Sequence, residues 1–111
     1  MRLSLMIPAV TLALAFGLGA ADPARAEGDV EAGALKAYTC TGCHGIPGYN
    51  NVYPTYKVPR IGGQNYAYLV SALKDYREGN RDHATMKYQA SALSDQDIED
   101  VSAYFASLGE Q

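Results

Sequence analysis

Cys40-Thr41-Gly42-Cys43-His44 decides how this chain is read. Two thiols three residues apart can add to the two vinyl groups of one porphyrin, and an imidazole directly after the second thiol is carried over the iron. In that arrangement Cys40 and Cys43 form thioethers and the neutral ring of His44 is the proximal ligand. Two other chemistries compete for the same residues. A structural zinc ion wants four ligands, and beyond residue 26 the nitrogen and sulfur donors are Cys40, Cys43, His44 and His83, without a second cysteine pair. A redox-active CxxC belongs on a βαβ pattern, and no alternating strand pattern is visible. One covalently bound haem c is therefore the expected cofactor.

Upstream of the motif, Met1-Arg2 is a short positive segment, Leu3 to Ala21 is almost wholly apolar, and Ala24-Arg25-Ala26 has the small residues that a signal peptidase requires. The pattern predicts a signal peptide over 1–26, cleaved after Ala26, with a cut after Ala21 as the lesser alternative. A retained membrane anchor fits less well, because the run contains Pro8 and is short for a span. No stable membrane insertion is expected after cleavage. The remaining domain, 27–111, loses Arg2, Arg25 and Asp22, so nine basic and twelve acidic residues become seven and eleven, a net charge of −4. A mildly acidic domain with no Lys/Arg-rich run has no means of neutralising phosphates, so nucleic acid is excluded as a partner. With 48% hydrophobic and 19% charged residues, the whole chain is neither disordered nor polytopic. A domain barely above roughly 70–80 residues is near the size at which a core needs a disulfide, metal or cofactor to complete it.

Downstream and upstream of the motif the pattern is helical. Gly28 to Tyr38 reads as a first helix, with Asp29 placed to cap it. Gly45 to Gly63 carries Pro47, Pro54, Pro59 and several Gly and Asn residues, which predicts a long loop of the sort that wraps a ligand. Asn65 can cap a helix whose stripe is Tyr66, Leu69, Leu73 and Tyr76 and which ends at Gly79. Asn80 to Ala92 reads as a polar connection without periodicity. Ser94-Asp95-Gln96-Asp97 then resembles a capping box for a last helix with the stripe Ile98, Val101, Phe105 and Leu108. The fold class expected is all-α.

The sixth ligand follows by elimination. Met1 and Met6 belong to the leader, which leaves Met86, a thioether set among His83, Thr85, Lys87 and Gln89 with no obvious core to fill. His/Met ligation suits electron transfer at raised potential, so Met86 is the preferred distal ligand. His83 is the rival.

Over Gly28 to Leu108 the chain resembles a class I cytochrome c of the small bacterial periplasmic kind. The resemblance rests on Gly28-Asp29-Val30-Glu31-Ala32-Gly33 leading to Cys40–Gly45, on Pro59-Arg60-Ile61-Gly62-Gly63-Gln64, and on Met86 followed by Leu93–Ile98 and Tyr104-Phe105-Ala106. It implies three to four helices wrapped around one haem, and a periplasmic location. It further implies that the Pro59 carbonyl accepts from His44 Nδ1–H, that Gly33 lets the first helix approach the last, and that Arg60 and Gln64 lie near the haem propionates. The segment from Ile46 to Val58, with Tyr49, Tyr53 and Tyr56, is longer than the corresponding loops of the family, and its tyrosines read as packing residues.

With both axial positions filled and no nucleophile–base pair elsewhere, the expected function is that of an electron carrier and not an enzyme. Its partners would be redox proteins, donor and acceptor unidentified, met by a monomer or by a subunit of a complex. Two alternatives are a cytochrome subunit of a larger dehydrogenase or oxidase, and a haem-based gas sensor. Lys57, Arg60, Arg81 and Lys87 lie near the ligand segments and could ring the exposed haem edge.

Overall fold

Asp29 opens the first helix because its carboxylate accepts from the Ala32 N–H at 2.8 Å. That helix, α1, spans Val30–Lys36 in a computed structural model that describes residues 28–109. The signal peptide expected over 1–26 lies outside the described residues. The helix expected to run to Tyr38 turns instead at Ala37, which is wholly buried. A second helix, α2 (Tyr38–His44), then carries the cysteine–histidine motif.

The long loop is also more structured than its composition suggests. Asn50–Val52 (β1) and Thr55–Lys57 (β2) pair antiparallel, with Asn51 opposite Tyr56. The turn between them is held by Asn51 Nδ2, which donates to the Pro54 carbonyl at 2.7 Å, and by Thr55 Oγ1, which donates to the Val52 carbonyl at 2.8 Å. Three-residue strands are too short to show alternation, so this hairpin, with its turn at Tyr53-Pro54, reads as loop.

Helix α3 (Tyr66–Glu78) is capped by Asn65, whose side chain accepts from the Tyr68 N–H, and it stops at Gly79 in the left-handed region at φ 84°. The segment read as an irregular polar connection contains a fourth helix, α4 (Ala84–Ser91), capped by the ring of His83. Only Ala90 of this helix is buried. A two-turn helix with one buried residue has no stripe to read. Helix α5 (Asp95–Ser107) begins with the Ser94/Asp97 capping box.

The core is formed where α1 and α3 each pack against α5: Ala37, Leu69, Val101 and Phe105, with Ile61, Leu73 and Tyr104 against them. Helix α1 crosses α5 at Gly33, where a Cβ would overlap the Asp100 carbonyl oxygen and press on Tyr104. Only glycine allows that approach. The loop after Pro59 is tied to α5 by the Gly63 N–H, which donates to the Phe105 carbonyl at 2.8 Å.

The acidic start of α5 is largely neutralised. Asp100, 3% exposed, accepts from Lys36 Nζ at 2.6 Å, from the Asp29 N–H at 2.8 Å and from Gln96 Nε2 at 2.8 Å. Lys36 also pairs with Asp97 at 2.9 Å, and Asp95 pairs with Arg77 at 2.6 Å. Burial pushes the Asp100 carboxyl up, but the Lys36 ammonium and the donors from Asp29 and Gln96 outweigh it, so the net shift is downward. Asp97 is lowered to about 2, first by its hydrogen bond with Lys36 and then by those with Ser94. Among the described residues no helix is long and apolar enough to cross a membrane.

Candidate functional site

Helix α2 presents Cys40 and Cys43 one turn apart, and both thiols are free. They line, with His44, a cavity of about 280 Å³ whose other walls come from β2 and from α4. An adjoining cavity of about 210 Å³ runs on against α3 and α5. Cys40, His44, Pro59, Tyr76 and Met86 border both. Burial raises the Cys40 thiol above its ordinary value.

The imidazole of His44 is oriented by the backbone. Its Nδ1 lies 2.7 Å from the Pro59 carbonyl oxygen. A carbonyl only accepts, so Nδ1 carries the proton and Nε2 is left with its lone pair. Met86 stands in the first turn of α4, on the walls of both cavities, half-buried. The structure thus brings Cys40, Cys43, His44 and Met86 to one place from two helices far apart in sequence.

His83 also borders the first cavity, but its Nδ1 accepts from the Met86 N–H at 3.4 Å, capping α4. Its ring packs edge-on against Tyr56, with centroids 4.7 Å apart, and against Tyr76 at 6.4 Å. Arg60 and Gln64 lie on the second cavity, and Gln64 Oε1 accepts from the Asn65 N–H at 2.8 Å. Of the other cations near the ligand segments, Lys57 borders the first cavity and Arg81 the second. Arg81 donates to Tyr68 Oη at 3.2 Å, which raises its guanidinium above the ordinary value, and lies 4.9 Å from the centre of the Tyr76 ring. Lys87 borders neither cavity.

Sequence reasoning did not single out Thr85 or Ser102 for the site, and gave Tyr56 and Tyr76 only packing roles. Tyr76 belongs to the apolar stripe of α3 and could have been found there, whereas Thr85 and Ser102 give no signal. Ser102 Oγ is buried on the wall of the second cavity and has no hydrogen-bond partner in the protein. A buried hydroxyl without a partner is uncommon, and here it borders a space between a histidine with a free Nε2 and a thioether. Two thiols, the imidazole of His44 and a thioether, set in mostly apolar walls, fit the donor set of a covalently bound haem. Among the described residues no group of three or more His, Cys, Asp or Glu side chains is placed to hold a metal ion by itself.

Comparison with known proteins agrees with a covalently bound haem. The profile of the cytochrome c family matches residues 30–109. Cytochrome c4 of Pseudomonas aeruginosa is 40% identical over 96 residues, 86% of this chain and 46% of that protein. The cytochrome subunit of sulfide dehydrogenase from Chlorobaculum tepidum is 30% identical over 112 residues, 96% of this chain and 98% of that one. The crystal structure of reduced cytochrome c4 from Pseudomonas stutzeri superposes with a TM-score of 0.56 at 34% identity, covering 71% of this chain and 47% of the other. The chain spans about half the length of the cytochrome c4 proteins it matches.

Proposed function

The chain belongs to the cytochrome c family, and from that premise we propose that it is an exported carrier of single electrons, holding one haem c through Cys40 and Cys43 with His44 and Met86 as axial ligands. The observation that carries the proposal is the convergence of those four side chains on the walls of one cavity. When bound, the haem supplies a one-electron ferric/ferrous couple. The chain's own residues do the rest.

His44 is held in one tautomer by the Pro59 carbonyl, which fixes the orientation of the ring. Cys40 and Cys43, one helical turn apart on α2, supply sulfur on the same side of the site as His44. Met86 would supply a soft thioether from α4, which would favour the reduced state of the iron. Val101 and Phe105 keep the inner wall dry. Arg60, Gln64 and Arg81 offer donors on the second cavity, where the carboxylates of the cofactor would be held. With His44 and Met86 both holding the iron, no position would be left for a substrate, which favours a carrier. Its partners are redox proteins, met through brief encounters at a small patch.

The likeness to a sulfide dehydrogenase subunit along nearly the whole of both chains favours a second reading, that this carrier works bound to an oxidoreductase. Size-exclusion of the protein from its native extract separates the two: a free carrier elutes alone, a subunit with its enzyme.

The proposal is tested by a pyridine haemochrome spectrum together with the mass of the intact exported protein. The expected result is one haem with both vinyl groups saturated, covalently retained on a chain that begins at Glu27. Haem extracted by acidified organic solvent would contradict it.

A further inference from the structure

Helix α4 brings Met86 to the site and lies along α3, and its first turn is held by a distinct set of contacts. The helix has eight residues, one of them buried, and Ala90 lies at its far end. A helix of two turns is not stable on propensity alone and must be held by tertiary contacts. At the end that carries Met86 the contacts are polar and aromatic. His83 Nδ1 accepts from the Met86 N–H at 3.4 Å, and its ring sits against Tyr56 and Tyr76. Tyr56 Oη donates to Thr85 Oγ1 at 3.0 Å. Tyr56 belongs to β2, and apart from the half-buried pair Asn51 and Tyr56 the hairpin is exposed, with Val52 85% and Tyr53 94% accessible.

We propose that the β1–β2 hairpin and His83 form a clamp on the turn that carries Met86, with Tyr56 and His83 as its positioning residues. Neither touches the iron in this account; both act through Met86. The inference rests on Met86 being the distal ligand. Its physical content is an equilibrium. Met86 stays on the iron in proportion to how firmly its turn is held, and an added ligand binds only the fraction of molecules in which Met86 has left. Loosening the clamp therefore increases the apparent affinity for imidazole by the factor by which the Met-off fraction grows.

The test is an imidazole titration of the ferric holoprotein, followed at the sulfur-to-iron charge-transfer band near the red end of the spectrum. Tyr56→Phe keeps the ring and deletes one hydrogen bond, so it should increase imidazole affinity roughly two- to fivefold. His83→Ala loses the cap and the ring packing and should increase it by roughly fivefold or more. His83→Asn restores the best type of capping side chain and should bring the affinity part of the way back, a rescue that a purely structural defect would not give. Leu35→Gln, exposed on α1 and outside the clamp, should match wild type. Met86→Ala should abolish the band. If Met86→Ala abolishes the band while Tyr56→Phe and His83→Ala bind imidazole as wild type does, the clamp is refuted and the ligand assignment stands. If wild type lacks the band, or Met86→Ala leaves it unchanged, the ligand assignment falls and the clamp falls with it.

Discussion

Two halves of this molecule are built to different standards. Where α1 crosses α5, every group is matched by another. Gly33 makes room for the Asp100 carbonyl, Asp29 caps α1, and the buried Asp100 carboxylate is filled by Lys36, Gln96 and the Asp29 N–H. Where α2 faces α4, the chain leaves two adjoining cavities, two free thiols and, on the inner wall, a buried hydroxyl without a partner. Side chains complete the first half. The second is complementary to something that is not a side chain, which is what a domain near the lower size limit for a self-sufficient core requires.

The largest expected effect breaks the second half. Replacing both Cys40 and Cys43 with Ala should leave a chain without covalent haem and without a cooperative thermal transition, since the cofactor is the main apolar component of that side. Intact mass and melting followed by circular dichroism check this, and a haem-free double variant that melts like the native protein would contradict it.

A smaller effect breaks the first half. Gly33→Ala forces α1 and α5 apart, at a cost of about 1–3 kcal/mol as for other overpacked sites. For a domain of this size the holoprotein Tm should fall by on the order of 10 °C, with the haem spectrum unchanged. A shifted spectrum and an unchanged Tm would reverse the roles assigned to the two halves.

The smallest effect sharpens the comparison through pH. The folded-state values of Asp97 and Asp100 are both lowered, Asp97 to about 2. Their contribution is then present in full above the unfolded carboxylate value and is lost as pH falls from about 4 towards 2. Stability of the holoprotein should decline over that window, and Lys36→Met, which removes the shared cation, should flatten the decline. Melting curves at stepped pH measure it, and parallel profiles for the two proteins would show that Lys36 does not set these values.

What could be read from the sequence follows the same division. The caps at Asp29, Asn65 and Ser94 and the stop at Gly79 are local devices, written within three or four residues, and each stands where expected. The motif residues and Met86 could be named as ligand candidates because their chemistry is particular. The hairpin and α4 were hidden because neither is long enough to show a period and both depend on contacts with distant residues, Tyr56 with Thr85 above all. Asp100 was hidden in another way. In the run Asp95, Asp97, Glu99, Asp100 all four look solvated, and only the close approach at Gly33 makes one of them a buried partner for Lys36.

If His44 and Met86 both hold the haem iron, the reduction potential of the holoprotein will change when Met86→Ala removes one of them. A spectroelectrochemical titration should give a single one-electron wave for both proteins. The wave of the variant should lie lower by on the order of 100 mV, within the roughly 0.8 V that axial ligands command, because the thioether that favours ferrous iron has gone. A variant with the potential and spectrum of the wild type would remove Met86 from the iron and bring His83 into its place.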